Sequence, residues 1–483
     1  MLHNRVNQKV AVAVIYISSM LMNSLDSTVV NVALPTLGRE FGVDSLSIEA
    51  IIVGYLVSLA VFIPASGWLG DRFGYKPIFL LALSIFTTAS ALCGIAQSLD
   101  QLVLFRVIQG AGGGLLTPVG MAMLFRTFPP EERIGVSRIL MFATIIGPAS
   151  GPILGGFMIE HFSWRWIFYI NLPVGITALL FGVLCLADGG ERSTERFDIP
   201  GFVLAGIGFA SFMYALSEGA SYGWSSPRIV ATGLIGIVLL VLFVLVELRT
   251  PQPMVQLRVL GNVLFRRTLI VNAFSTAAFM GTLFTVPLFL QEGRGVDALT
   301  SGLTVFPEAI GVVTATQVVA RVYPAIGPRR LMSGGLLWVC GVLILISFVN
   351  FDTNLWTFRA LMFALGMGMS CVFVSNQAAS LGTISRADTG RASMLSSVQR
   401  QIGAATGVAV ISSVLVWIGT ENVTSSGVIE PDLNAYRAAY LVAAGLALVG
   451  AVLALRVPDE DAAITMRRAR PLEPRNERAT QAH

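Results

Sequence analysis

The sequence predicts an all-α polytopic membrane protein with fourteen transmembrane helices, and three observations carry that prediction. Hydrophobic residues fill 54 % of the 483 positions and charged residues only 12 %, whereas an average soluble domain is about a quarter charged. The mean hydropathy is +0.75. Apolar runs also recur at the length of a bilayer crossing, because a hydrocarbon core about 30 Å thick needs roughly 20 helical residues.

Taken in order, the first run spans 10–35. It is too long for the core of a signal peptide, lacks a convincing small-residue cleavage site and carries Asp26, so it is a retained helix. Further runs cover 48–67, 78–98, 102–124, 136–159, 166–187, 199–217, 229–248, 267–290, 299–320, 331–349, 355–378, 395–418 and 435–456. With both termini cytoplasmic, 25 of the 32 Lys and Arg fall on the cytoplasmic side, Arg72, Lys76, Arg126, Arg266 and the cluster Arg386/Arg391/Arg400 among them. One missed helix would invert every later loop, so this bias supports both the count and the orientation. The same dispersal between apolar runs means that the net charge of +4 does not indicate nucleic-acid binding. Cys93, Cys185, Cys340 and Cys371 sit inside apolar runs without metal-ligand spacing and are expected to be small core residues.

A weak internal repeat is visible. Gly67 to Lys76 follows helix 2, and Arg321 to Arg330 follows helix 10, with Gly327 falling where Gly74 falls. Two six-helix halves separated by an extra helix pair produce that spacing, and many transporters place the substrate site between repeated halves. The expected organisation is a bundle over 10–187, a linker with two extra helices over 188–265, a second bundle over 266–456 and a disordered cytoplasmic tail over 457–483.

Charge at membrane depth costs at least about 2.5 kcal/mol per residue, so the few such residues are the leading functional candidates. Asp26 shares one face of helix 1 with Ser19 and Asn23. Burial and a nearby cation act in opposite senses on a carboxyl's proton affinity, which suits a proton carrier; the alternative is a structural carboxylate paired with one Arg. In helix 4, Arg106, Gln109, Gly110, Gly113 and Thr117 share a face. Arg106 enters from the outer side at a depth Asp26 can reach, or else snorkels to the outer headgroups. Glu308, after Pro307 in helix 10, is a second deep carboxylate, either a proton site or cation anchor, or a buried acid that is neutral or paired. His3 and His483 are terminal and His161 lies at the edge of helix 5, so proton coupling would run through carboxylates.

Helix 5 carries Gly147, Gly151 and Gly155 at four-residue spacing, with Pro148 and Pro152 among them, a pattern for a kinked, closely packed gate. Asp71, Arg72, Gly74 and Lys76 offer a turn and three charges at the cytoplasmic face. A topology anchor needs only positive charge, so Asp71 points to an ion-pair latch. Phe274, Phe279, Phe284, Met362, Met367, Met369 and Phe373 could line an adaptable pocket, although each is more readily explained as core or lipid-facing. Asn376 and Gln377 are better pocket candidates. No phosphate-binding loop, His-Glu-x-x-His or Gly-x-Ser-x-Gly pattern occurs, so no enzyme chemistry is visible.

Together these segments resemble the major facilitator superfamily, and more narrowly its fourteen-helix drug:proton antiporters of the EmrB/QacA type. The resemblance spans about 10–456. It is carried by Leu25-Asp26-Ser-Thr28-Val-Val-Asn31-Val-Ala33-Leu-Pro35, by Gly67-x3-Asp71-Arg72-x-Gly74-Tyr75-Lys76, and by Arg106, Gln109, Gly110 and Gly112. It is carried further by Gly147, Gly151, Pro152, Gly155 and Gly156, by Trp164 through Asn171 and Pro173 to Gly175, and by Phe197-Asp198-x-x-Gly201. Tyr75 stands where the family usually has a basic residue, which weakens the expected latch, and the upstream glycine of the helix 5 motif is absent around Leu140.

The resemblance implies proton-coupled export of small amphipathic or cationic compounds by alternating access, with no cofactor beyond the proton gradient. Asp26, Arg106 and Glu308 would couple protons. Asp71, Arg72, Gly74, Lys76, Gly147, Gly151, Pro152 and Gly155 would gate, and Asn23, Gln109, Phe284, Met362, Asn376 and Gln377 would bind substrate. The expected setting is a monomer in a bacterial inner membrane, with substrate, protons and lipid as partners. A dedicated metabolite or lipid exporter, and a non-transporting membrane sensor or scaffold, are the alternatives.

Overall fold

A computed structural model describes residues 7–43, 48–128, 150–187, 198–250, 253, 255, 257–380, 384, 389–423 and 429–459. Thirteen of its helices are long and apolar enough to cross a membrane. They are α1 Gln8–Phe41, α2 Glu49–Phe73, α3 Tyr75–Gly94 and α4 Leu99–Thr127, then α6 Trp166–Cys185, α7 Ile199–Tyr222, α8 Pro227–Arg249 and α9 Val263–Leu288. There follow α10 Ala298–Ile326, α11 Pro328–Ser347, α12 Leu355–Ser380, α13 Thr389–Ile418 and α14 Leu433–Ala454. The fifth helix, α5, is described over 150–161. Gly147 and Pro148, and the tail from 460 onward, lie outside the described residues.

Several helices outrun their apolar runs. α1 continues from 35 to Phe41, where Gly42 at φ +63° stops it, and α2 continues from 67 to Phe73. Hydropathy marks only the stretch that matches the hydrocarbon, while the backbone hydrogen-bond ladder continues until a cap ends it. The placement of Arg400 is also corrected. Counted with the cytoplasmic loop cations although it falls inside the run 395–418, Arg400 lies eleven residues into α13, which starts at Thr389, and within the span rather than in the flanking loop. Between α13 and α14 the sequence reading missed a small antiparallel pair, β1 Glu421–Val423 and β2 Ile429–Pro431.

In the first half, α4 is sandwiched between α2 and α3, and α1 packs on α4 and α6. In the second, α9 packs on α13 and α14, α10 on α12, and α11 on α12 and α14. The halves meet where α2 lies on α13 and where α1 touches α9 and the start of α10. The inserted pair α7 and α8 pack on each other, with α7 also against α2 and α13. α8 buries only Ile229, Gly236, Phe243 and Glu247, so an apolar helix face of this length is left for lipid.

The weak repeat has a structural counterpart. Gly74 is the single residue between α2 and α3, at φ +98° with its N–H donating to the Gly70 carbonyl. Gly327 is the single residue between α10 and α11, at φ +82° with its N–H donating to the Tyr323 carbonyl. Each reverses the chain in one residue, in a backbone region that disfavours any side chain.

Candidate functional site

Asp26 and Arg106 meet in the interior of the first half, 0 % and 1 % exposed. Arg106 Nη1 donates to Asp26 Oδ2 at 2.5 Å and to Gln109 Oε1 at 2.8 Å. The other carboxylate oxygen, Oδ1, accepts from Gln109 Nε2 at 2.8 Å and from Asn171 Nδ2 at 3.1 Å. The guanidinium lies over the Tyr55 ring at 4.0 Å, and Arg106 Nε has no partner. Three N–H donors on one carboxylate, plus an aromatic face on the cation, offset the cost of removing two charges from water. The snorkelling alternative for Arg106 is thereby excluded.

The supporting geometry follows from small residues. A Cβ at Gly110 would stand 2.5 Å from the Tyr55 carbonyl oxygen, and one at Gly112 would stand 2.7 Å from the Phe86 nitrogen, so α4 slots between α2 and α3 with backbone almost in contact. Asn23 accepts from the Tyr55 hydroxyl at 2.5 Å and donates to Thr117 Oγ1 at 3.3 Å. Asn171 also donates to Ser90 Oγ at 3.1 Å. The network therefore joins α1, α2, α3, α4 and α6. Sequence reasoning found Asp26, Arg106, Gln109 and Asn23 and missed Tyr55, Ser90 and the role of Asn171. An amide inside the apolar run of helix 6 was the available signal for Asn171.

Two residues beyond Asp26, the polar face of α1 turns into a packing face for α5. A Cβ at Gly151 would stand 2.1 Å from Thr28 Oγ1, and one at Gly155 would stand 2.8 Å from Val29 Cγ2. The next face of α5 meets the other half. A Cβ at Gly302 of α10 would stand 2.1 Å from the Pro152 carbonyl oxygen, and one at Gly156 would stand 2.6 Å from the Ala298 carbonyl oxygen. α9 closes the same end of the bundle. Its last turn widens into a π-turn, Phe289–Gly293, from which Gln291 Nε2 donates to the Val32 carbonyl of α1 at 3.0 Å. The end remote from the termini is thus sealed by contacts between the halves.

Glu308 is buried in α10 just after the break at Phe306–Pro307. Its backbone carbonyl packs on Gly366 of α12. Among the described residues its carboxyl makes no hydrogen bond or ion pair, and it does not join the Asp26–Arg106 network.

At the end that holds the termini, Asp71 pairs with Arg126 of α4 at 3.1 Å. Tyr75, standing where the resemblance expects a base, donates its hydroxyl to Asp71 Oδ1 at 2.6 Å and lays its ring under the Arg126 guanidinium at 4.2 Å. Lys76 Nζ donates to the Leu186 carbonyl at the end of α6 at 2.7 Å. Arg72 lies on the last turn of α2 beside them. The expected pocket residues divide. Phe284 and Met362 are fully enclosed in the core and present no surface to a substrate in this arrangement, because close packing on α9 and α12 takes up their side chains. Gln109 is spent on Asp26. Asn23 is half-buried, Gln377 is exposed, and Asn376 is half-buried with its Oδ1 unpartnered.

The family model of the Major Facilitator Superfamily matches residues 16–324 and 309–479. A Klebsiella pneumoniae protein bearing the name multidrug resistance protein MdtD is 32 % identical over 450 residues, covering 93 % of this chain and 95 % of its own. The multidrug resistance protein B homolog of Mycobacterium tuberculosis is 31 % identical over 403 residues, covering 82 % of this chain and 74 % of its own. The crystal structure of a D-xylose-proton symporter superposes with a TM-score of 0.66 at 13 % identity, over 94 % of this chain and 99 % of that one, a likeness of fold. The chain, a many-span transporter and not an enzyme, belongs to the major facilitator superfamily.

Proposed function

We propose that the protein is a proton-coupled antiporter that exports small amphipathic or cationic compounds across a bacterial inner membrane, acting as a monomer with both termini in the cytoplasm. The observation that carries this reading is the fully buried Asp26 carboxylate held by Arg106, Gln109 and Asn171. Protonation of Asp26 removes the charge that these donors are arranged to hold, and the Arg106 contact falls from an ion pair to a hydrogen bond assisted by the cation alone. Because Thr28 and Val29 seat the α5 glycines, a shift of α1 reaches the α5–α10 seam through one helix. The sealed end is then the outer one, and opening there exposes Asp26 to external protons.

In this reading Glu308, six residues along α10 from Gly302, is a second proton site in the other half. Asn23, Asn376 and Gln377 offer polar contacts to substrate, and the Asp71–Arg126–Tyr75 cluster with Arg72 and Lys76 latches the cytoplasmic face. The names of the multidrug relatives support the substrate class. At about 150 mV, one inward charge supplies about 3.5 kcal/mol, enough for a gradient of several hundredfold. A monocation exchanged for one proton is electrically silent and draws on the pH difference alone.

The test is efflux of ethidium from energised cells carrying the wild type or Asp26→Asn. Uphill efflux that collapses with a protonophore and with the variant supports the reading. Efflux by Asp26→Asn at the wild-type rate refutes the role of Asp26, and no efflux from correctly inserted wild type refutes the substrate class and favours a dedicated metabolite or lipid exporter.

A further inference from the structure

Where the inserted helices α7 and α8 meet near the cytoplasmic end, two carboxyl groups share one small space that the transport reading does not use. Asp198, at the N-cap of α7, is 9 % exposed, and Glu247, on the last turn of α8, is 3 % exposed. Each spends one oxygen on a backbone amide. Asp198 Oδ1 accepts from the Gly201 N–H at 2.9 Å, and Glu247 Oε2 accepts from the Val255 N–H at 3.1 Å. The remaining oxygens, Asp198 Oδ2 and Glu247 Oε1, are buried without any hydrogen-bond partner. Both border the same point, since a Cβ on Gly201 would stand 2.5 Å from the first and 2.8 Å from the second.

Two orphan acceptors bordering one point, each on a group that is ionised when free, are unfavourable together. Among the described residues no compensating cation pairs with either carboxyl. Val255, whose amide binds Glu247, belongs to an apolar cluster with Ala205 of α7, Phe243 of α8, Phe265 of α9, and Ala392 and Leu395 of α13. The charged neighbour of Glu247 is Asp198 itself. Arg249 and Arg258 are exposed, Arg266 donates to the Leu260 carbonyl and Arg267 to the Arg456 carbonyl. No group of three or more His, Cys, Asp or Glu side chains that could hold a metal ion occurs among the described residues. A proton needs only the two oxygens that are there.

We propose that Asp198 and Glu247 bind a single proton between Asp198 Oδ2 and Glu247 Oε1, forming a proton-binding carboxyl pair outside the transport path. The shared proton turns two opposed acceptors into one hydrogen bond and leaves the pair with a single negative charge, spread over groups that the Gly201 and Val255 amides hold. Through the Val255 amide the pair also ties that residue, which precedes α9, to α8. Loss of the proton sets two like charges against each other in an apolar enclosure and drives the ends of α7 and α8 apart.

The folded pair keeps a proton that exposed carboxyls in the unfolded chain release above about pH 4. The folded chain therefore binds more protons, and stability falls as pH rises until the shared proton leaves. Thermal unfolding of the purified full chain in nanodiscs, between about pH 5.5 and 9, is compared for wild type, Asp198→Asn and Glu247→Gln. Each amide donates an N–H to the remaining carboxylate and needs no proton. Each variant is expected to lose the alkaline decline and to melt a few degrees above wild type at about pH 8.5. The wild-type-minus-variant infrared difference at neutral pH should show a protonated-carboxyl carbonyl component, absent from either variant and separate from any contribution of Glu308, which all three proteins share. Identical pH profiles for all three proteins together with an unchanged infrared band overturn the proposal. Recovery of wild-type melting at about pH 8.5 by sodium or calcium, in place of acid, also overturns it and assigns the space to a metal cation.

Discussion

Gly302→Ala adds one methyl group at the seam between the halves, 2.1 Å from the Pro152 carbonyl oxygen of α5, where ordinary contact begins near 3.4 Å. The neighbour is backbone, so no rotamer change relieves the clash and the two helices must part by about 1 Å or more. Overpacking of this kind typically costs about 1–3 kcal/mol. The cost falls only on the arrangement in which α5 and α10 touch, so the ratio of sealed to open forms drops roughly 5- to 150-fold. A reporter at Leu299→Cys, which stands beside the seam, reads that ratio by its maleimide labelling rate. Cys93, Cys185 and Cys340 are buried and Cys371 is half-exposed, so Cys371→Ser gives a quiet background. Labelling should rise at least about fivefold in Gly302→Ala and stay unchanged in Gly341→Ala, where a Cβ meets nothing within 4 Å. Equal labelling and wild-type transport in folded Gly302→Ala would refute the idea that this contact is the seal.

Other perturbations follow from the same geometry. Arg106→Leu leaves Asp26 buried without its cation and should cost about 3–5 kcal/mol of stability, with Asp26→Leu added on top restoring part of the loss in a thermal melt. Arg126→Gln breaks a pair whose side chains are 49 % and 45 % exposed. Melting should then move by no more than a few degrees, because surface pairs contribute about 0–1 kcal/mol, while transport slows if the pair latches the cytoplasmic face. Gly74→Ala and Gly327→Ala each force a side chain into positive φ and should each lower stability by about 1–2 kcal/mol; unchanged melting of both contradicts the one-residue reversal as a feature shared by the two halves.

The sequence made the architecture legible because the bilayer imposes it. Helix count follows from run length, and the arrangement of the cationic loops checks the count. Asp26 and Arg106 were legible for the same reason, since charge at depth has few physical explanations and their depths matched. What local pattern could not supply was direction. Asn171 reaches Asp26 only because the chain turns at Ile170 between Tyr169 and Asn171, and Tyr55 reaches Arg106 only because Gly110 lets α4 sit on the α2 backbone. Phe284 and Met362 looked available as pocket residues by type, yet packing encloses them. Tyr75 departs from the expected basic residue and still binds both members of an ion pair, a combination of hydroxyl and ring face that a residue-type pattern does not encode. Asp198 stood in the sequence as part of a motif. Its partner Glu247, 49 positions on, was invisible until α7 and α8 packed together.

The account stands most directly on whether substrate movement drives protons the other way through Asp26. Proteoliposomes loaded with a pH-sensitive dye, given an ethidium gradient and no imposed membrane potential, report that movement. The account predicts proton flow opposite to ethidium for the wild type and none above empty liposomes for Asp26→Asn. Ethidium transport by the wild type without proton movement, or proton movement of wild-type size by Asp26→Asn, would contradict it.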